Sequence, residues 1–191
     1  MGVLTSAQRG TLTTAEICFS ASGAYMPPML IFPRVRENPQ LLNDVPPGAW
    51  AEFHESGWIQ TDIFHRWFKR FVKWSGASKD SPVLLLLDGH ATHTKSLYLI
   101  DMARESNVIL LCYPPHCTHR LQALDVAFMK PLSTNYSNEI RKWLRNHPGR
   151  VVTLYQVAEL FGNAYIKSAT MQTGLNGFKK TGTSKQLFTK I

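Results

Sequence analysis

The feature that most constrains the fold is an uninterrupted apolar run, Val83–Leu87, which ends at Asp88 and Gly89. A strand that is apolar on both faces is typical of a covered strand in an α/β sheet. A helical pattern over residues 95–106 and a second apolar run over residues 108–113 follow it. This strand–helix–strand order predicts a right-handed parallel crossover. We therefore expect an α/β fold with two buried parallel strands.

The segments before residue 62 predict a hairpin and a long loop. Residues 12–20 alternate in polarity and contain Thr, Ile and Phe, which is typical of a strand. Residues 25–32 predict its partner, and Pro27 and Pro28 place that partner at a sheet edge or a bulge because proline cannot donate to a ladder. The stretch 33–57 is rich in Pro, Asn and Gly and therefore predicts a surface excursion.

Helical periodicity marks three further segments, residues 62–74, 124–145 and 153–169. The first is amphipathic, because it places a largely aromatic stripe on one face and a basic stripe on the opposite face. We interpret the aromatic stripe as core packing and the basic stripe as a solvated surface. The Gly- and Lys-rich tail from Thr170 predicts irregular structure.

Composition narrows the class of protein. A hydrophobic content of 44% over 191 residues is enough for a globular domain with its own core. The apolar runs are far too short to span a bilayer and the first residues show no secretory leader, so we expect no membrane association. Three irregularly spaced cysteines favour reduced thiols in an intracellular compartment.

The positive charge is concentrated in the C-terminal third. Residues 1–125 contain eleven basic and eleven acidic residues, whereas residues 126–191 contain ten basic residues and only Glu139 and Glu159 as acids. The second segment therefore carries the whole formal net charge of +8. Such asymmetry suggests a polyanionic partner. A solvated basic face explains the charge about equally well.

Two carboxylates stand out by their position. Asp88 lies where a parallel strand ends, and open α/β sheets bind their ligands at that end. Asp125 lies where a helix begins after the next strand. If successive crossovers bring both to one sheet edge, a divalent cation offsets their repulsion, and Mg²⁺ suits carboxylate ligands. Taken alone, Asp88 is explained as a loop or cap residue and Asp125 as a first-turn residue favoured by the helix dipole.

Longer motifs around these aspartates indicate a family. The strings LLLLDGHATH and VILLCYPPHCTHRLQALDV resemble the DDE superfamily endonuclease domain of the mariner/pogo class, in particular the pogo, Tigger and jerky transposases and the host proteins derived from them. The resemblance implies a ribonuclease-H-like mixed sheet flanked by helices. It also implies that Asp88 and Asp125, with 36 residues between them, are the second and third metal-binding aspartates.

The chain also departs from the family pattern. The family's first catalytic aspartate lies on a strand that precedes the LTSAQRG segment, and here no Asp occurs before Asp44. Glu16 lies on the first visible strand, but no family motif places a metal ligand there. Ala123 stands where the family usually has Pro. We therefore expect an N-terminally truncated core over residues 1–182, lacking its first strand, and a divergent tail over residues 183–191.

The resemblance implies a function on DNA. In an intact relative, three aspartates would hold two Mg²⁺ ions for phosphodiester cleavage and strand transfer in the nucleus. For this chain it implies nucleic-acid binding with little or no nuclease activity, because two carboxylates leave the metals under-coordinated. The residues expected to bind nucleic acid are basic: Arg120, Lys130, Arg141, Lys142 and Arg145. The expected partners are DNA and either a further copy of the chain or a longer transposase chain.

Histidines near the two aspartates supply a rival chemistry. Six histidines and cysteines cluster in the segments that end at the expected site: His90, His93, Cys112, His116, Cys117 and His119. Such side chains bind Zn²⁺, but their spacing fits no common zinc finger. The resemblance instead makes His90, His93 and His119 hydrogen-bonding residues beside the metal site, with Gln122 as an orienting or DNA-contacting residue. We interpret Cys112 as a small core residue.

Besides a zinc protein that does not act on nucleic acid, two alternatives stay open for the function. One is an active nuclease whose missing strand comes from a longer gene product or a partner chain. The other is a host-recruited module that binds DNA or protein without catalysis.

Overall fold

The computed structural model describes residues 2–5, 12–89 and 96–183, with residues 2–5 as backbone only. The strands, in chain order, are β1 (Gly2–Thr5), β2 (Leu12–Glu16), β3 (Met29–Phe32), β4 (Trp50–Phe53), β5 (Val83–Leu87) and β6 (Val108–Cys112). The helices are α1 (Thr61–Ser75), α2 (Leu97–Glu105), α3 (Thr118–Leu121), α4 (Met129–Asn146), α5 (Leu154–Ser168) and α6 (Met171–Lys180). The mixed α/β class is confirmed. The chain divides into two compact units, residues 59–122 and the remainder.

A four-stranded sheet in the order β1-β2-β3-β4 organises the larger unit. β2 pairs antiparallel with β1 and β3, and β3 pairs parallel with β4. Of the two positions predicted for the second hairpin strand, the sheet edge is wrong, because β3 begins after Pro27 and Pro28 and forms ladders on both sides. All four residues of β3 are buried, so this interior strand belongs wholly to the core.

The stretch 33–57 is more ordered than its composition predicts. It contains β4 and a 3₁₀ turn over Pro39–Leu42, whose first amide is capped by the Asn38 side chain. Leu41 in that turn is fully buried. The surface excursion predicted there is therefore wrong in part, since the turn contributes to the core.

Helices α4 and α5 complete the hydrophobic core of the larger unit. Phe128, Leu132, Leu160 and Phe161 pack in one buried cluster with residues of β2 and β3. A capping box, in which Thr153 and Gln156 satisfy each other's main-chain amides, starts α5.

Met171–Lys180 form a helix, so the irregular structure predicted for this part of the tail is wrong. The Thr170 side chain accepts a hydrogen bond from the amide of Thr173 and caps α6. Its glycines, which suggested a break, are packing residues. At Gly174 a Cβ would lie 3.1 Å from the Cα of Gly23, so the helix lies against main chain.

In the smaller unit, α1 confirms the predicted amphipathic helix. Ile63, Phe64, Trp67, Phe68 and Phe71 are buried on one face, with stacked rings along it. The helix ends at Gly76, which adopts the left-handed conformation at φ 65° and donates its amide hydrogen to the helix carbonyl of Val72.

The two strands of the smaller unit form a parallel pair, as the crossover rule predicts. Leu85, Leu87 and Val108 are buried, whereas Ile109 and Leu111 are 48% and 51% exposed. The predicted burial of the second strand is therefore wrong for one face of β6. Within the described residues β5 and β6 pair only with each other.

Candidate functional site

The carboxyl ends of β5 and β6 meet at one edge of the smaller sheet. Leu87 pairs in register with Cys112, and the amide of Tyr113 donates to the Leu87 carbonyl at 2.9 Å. Asp88 follows directly and is half-buried. The structure thus confirms that Asp88 lies at the end of a parallel strand, the position from which open α/β sheets present ligand-binding groups.

Cys112 lies close enough to Asp88 for their charges to interact. Partial burial raises the pKa of the Cys112 thiol, and the Asp88 carboxylate raises it further. The residue itself is exposed, so its predicted core position is wrong. Sequence periodicity could not reveal this exposure, because it depends on which strand edge other parts of the fold cover.

The segment after β6 turns sharply and leads into the short helix α3. His116 adopts the left-handed conformation at φ 62°, and the amide of Cys117 donates to the Pro114 carbonyl at 3.3 Å. His119 is exposed on α3. At the end of that helix, the main-chain amide of Gln122 donates a hydrogen bond to the Thr118 carbonyl at 2.9 Å.

The remaining predicted residues of this segment have different outcomes. Arg120 is exposed on α3, as a residue that binds a polyanion must be. Gln122 is half-buried. His90 and His93 lie outside the described residues, so their predicted roles stay predictions.

Asp125 belongs to the larger unit and lies in an unusual helical turn. Residues Leu124–Phe128 form a π turn, in which the amide of Met129 donates to the carbonyl of Leu124. Leu124 and Phe128 are buried and anchor the turn, while Asp125 is half-buried. π turns are rare and occur frequently at functional sites. The predicted helix start is confirmed, but its π geometry was not predicted.

The basic residues of α4 lie on its exposed side. Lys130, Arg141 and Arg145 are spaced by eleven and four residues, which places them along one face of an α-helix. Lys142 is exposed at the margin of that face. The only acid on α4, Glu139, points the other way into the core. The exposed face is therefore positive along its length.

Glu139 has its own partner inside the larger unit. Lys167 on α5 forms an ion pair and a short hydrogen bond with its carboxylate. The Glu139 side chain is only 7% exposed, so this pair satisfies a buried charge. It does not reduce the positive charge on the opposite side of α4.

The two predicted metal-binding carboxylates belong to different units, Asp88 to the smaller and Asp125 to the larger. Asp88 and Asp125 are both half-buried at the ends of regular elements. Over residues 12–89 and 96–183, no three His, Cys, Asp or Glu side chains come together as a metal site. The joint action of Asp88 and Asp125 on one cation, and the zinc alternative that includes His90 and His93, stay predictions.

These features define a mixed α/β protein with a carboxylate after a parallel strand, a second one in a helical turn and a basic helix face. A family model described as DDE superfamily endonuclease matches residues 9–173. The chain belongs to this family. The match includes Asp88, Asp125 and all five predicted nucleic-acid-binding residues.

One curated relative is similar over much of this chain. It is the MFS-type transporter clz9 of Cochliobolus lunatus, which is 28% identical over 165 residues. The similar region covers 85% of this chain but 18% of that protein, so the chain spans less than a fifth of the relative's length. In the described part of this chain, no helix has the length and apolar character needed to cross a bilayer. No solved structure matches the chain.

Proposed function

We propose that this chain is part of the catalytic core of a DDE-type transposase of the mariner/pogo class, acting on DNA in the nucleus. The observation that carries the proposal is the family match over residues 9–173, which includes both Asp88 and Asp125. Antiparallel pairing of β1, β2 and β3 and parallel pairing of β5 and β6 support a ribonuclease-H-like sheet.

In this proposal Asp88 and Asp125 hold Mg²⁺ through carboxylate oxygens, the ligands that Mg²⁺ prefers. Their partial exposure fits this role, because Mg²⁺ keeps several water or phosphate ligands. A cation held by these two carboxylates would supply charge neutralisation for phosphodiester cleavage. His119 and Gln122 orient neighbouring groups, and Arg120 with the basic face of α4 holds the DNA backbone.

We further propose that residues 1–191 alone cleave little or no DNA. Two carboxylates leave a two-metal site short of ligands, and small misplacements of catalytic groups cost about a hundredfold in rate. Glu16 is buried on β2 and no family motif makes it a ligand. Nicking of a supercoiled plasmid with MgCl₂ tests this point. Cleavage that Asp88→Asn abolishes would favour an active nuclease instead.

Cys112 reports whether a cation binds at Asp88 without requiring catalysis. A bound Mg²⁺ would offset the Asp88 charge that raises the pKa of the thiol, so alkylation of Cys112 at fixed pH should become faster. Asp88→Asn should remove this response. Asp101→Asn, which removes an exposed carboxylate of the same unit, should keep it. The control is NaCl at the same ionic strength. If MgCl₂ changes the alkylation rate of Cys112 no more than NaCl does, the result argues against the metal site.

The basic face of α4 is tested by the salt dependence of DNA binding. Each lost phosphate contact lowers the slope of log affinity against log salt by about 0.9 for duplex DNA. The variant with Lys130, Arg141 and Arg145 changed to Gln should therefore lose about 2.7 of that slope if each makes one contact.

A control variant removes the same charge elsewhere. Lys69, Lys73 and Lys79 are exposed in the smaller unit, and their triple change to Gln should leave the slope nearly unaltered. An equal decrease of the salt slope in both triple variants would argue that the effect follows the net charge of the chain. DNA binding without any Mg²⁺ response at Cys112 would favour the host-recruited binding module.

A further inference from the structure

Helix α6 lies directly against the turn that carries Asp125. At Gly177 a Cβ would be 2.9 Å from the carbonyl oxygen of Ala123 and 3.2 Å from its Cβ. Glycine therefore brings the helix closer to this main chain than a larger residue would allow. The start of the helix is fixed as well, since the Tyr25 hydroxyl donates to the Thr170 carbonyl at 3.1 Å. The position of α6 relative to Asp125 is thus set within one compact unit.

The side of α6 opposite its buried glycines carries a polar and basic row. Gln172, Asn176, Lys179 and Lys180 are all exposed, at the spacing of successive helical turns. The Gln172 side chain donates to the Asn176 side-chain oxygen at 2.9 Å, so the two amides form a connected pair. We call these four residues the α6 row.

In the described part of the chain, neither the helix end nor a carboxylate binds the lysines of the α6 row. Thr181 lies within hydrogen-bond distance of the Gly177 carbonyl through both its hydroxyl (3.1 Å) and its amide (3.2 Å), so the last turn has other donors. No Asp or Glu follows Glu159 in the sequence. Among the described residues, neither Lys179 nor Lys180 forms an ion pair.

We propose that the α6 row binds the sugar–phosphate backbone of a nucleic-acid strand on the side of α6 that faces away from the Asp125 turn. This inference rests on the proposed function and adds a second contact surface to the basic face of α4. Lysine ammonium groups neutralise phosphates as point charges, and Gln and Asn amides donate to phosphate and sugar oxygens. Such contacts fix the position of a strand without reading its sequence.

The test compares two double variants of the whole chain by fluorescence anisotropy over a series of salt concentrations. Lys179→Gln with Lys180→Gln should lower the salt slope by about 1.4 on a single strand and about 1.8 on duplex DNA. Lys69→Gln with Lys73→Gln removes the same charge from the exposed face of α1 and should leave the slope close to that of the parent. Changing Lys179 and Lys180 to Arg should retain the slope, which controls for loss of helix structure.

The outcomes separate this inference from the proposed function. If the parent chain binds no DNA in low salt, the proposed function fails. If the parent binds and the Lys179/Lys180 variant keeps its full slope, the α6 row is not a phosphate contact and only this inference is overturned. An equal decrease in the Lys69/Lys73 control also overturns it, because the effect would then follow net charge.

Discussion

Replacing Gly162 with alanine should destabilise the larger unit, although alanine is the better helix former. Gly162 lies inside α5 and is buried. A Cβ there would lie 2.7 Å from the carbonyl oxygen of Asp44 and 3.2 Å from the Cδ of Pro46. Asp44 already adopts the left-handed conformation at φ 58°, and a proline ring cannot swing away. The added methyl group therefore meets main chain and ring atoms that have little freedom to yield.

The expected size of the effect follows from two opposing terms. Alanine gains about 1 kcal/mol over glycine in a helix interior. Overpacking a core costs about 1–3 kcal/mol, and a 2.7 Å contact with a main-chain oxygen belongs near the upper end. The free energy of unfolding should therefore fall by about 1–2 kcal/mol, which lowers Tm by roughly 2–8 °C in a chain of this size.

Urea and thermal denaturation, followed by far-ultraviolet circular dichroism, measure this difference. Asn163→Ala is the matched control, because Asn163 is the next residue of α5 and is exposed. It should be neutral or slightly stabilising, since only the helix propensity changes. If Gly162→Ala is as stable as this control, the loop at Asp44 does not pack on α5 and the reasoning is refuted.

Three further predictions concern thiols and tyrosines. Alkylation at pH 8 should modify exposed Cys112 before Cys18, because burial, with the added charge of Glu16, raises the pKa of the Cys18 thiol to about 12. Peptide mass spectrometry gives the order of modification, and faster labelling of Cys18 would contradict the prediction. Tyr136→Phe should not lower stability in urea titrations, since its buried hydroxyl has no partner among the described residues, whereas Tyr165→Phe should cost about 1 kcal/mol because its hydroxyl donates to a buried carbonyl at 3.3 Å. Burial raises the pKa of Tyr136 to about 12, above the ordinary value of about 10. Its contribution to the free energy of unfolding should therefore be constant below pH 10 and decrease between pH 10 and pH 12. An increase of that contribution over the same range would contradict the prediction.

Local periodicity predicted the elements whose burial depends on their own sequence. The aromatic face of α1 is an example, because five apolar side chains at helical spacing leave one arrangement that buries them. Exposure of Ile109, Leu111 and Cys112 could not be predicted in this way. An apolar strand is covered only if another element lies on it, and that is a property of the tertiary fold.

Glycine explains why α6 was missed. Gly174 and Gly177 lower helix propensity, so a sequence reading treats them as breaks. In the fold they permit close contact with main chain at Gly23 and Ala123, and this packing offsets their intrinsic cost. The Thr170 cap with Thr173 three residues later was the available signal for a helix.

The candidate site was predicted in its parts rather than as a whole. The position of Asp88 follows from the apolar strand before it, and that of Asp125 from the helical pattern after it. Their shared binding of a cation depends on the arrangement of two compact units, which local patterns do not specify. That pairing therefore stays a prediction.

In a continuous α-helix, the helical period would fix the direction of Asp125 relative to the basic residues of α4. The π turn over Leu124–Phe128 interrupts that period, so the two directions are set separately. Each residue advances an α-helix by about 100°, so a turn that closes on the fifth residue contributes one step more than regular helix. Deleting that extra residue would return the segment to the spacing of a regular α-helix, and the direction of Asp125 would then follow from the period of α4. The length of this turn sets where the acid points, and the periodicity of α4 sets where the cations point.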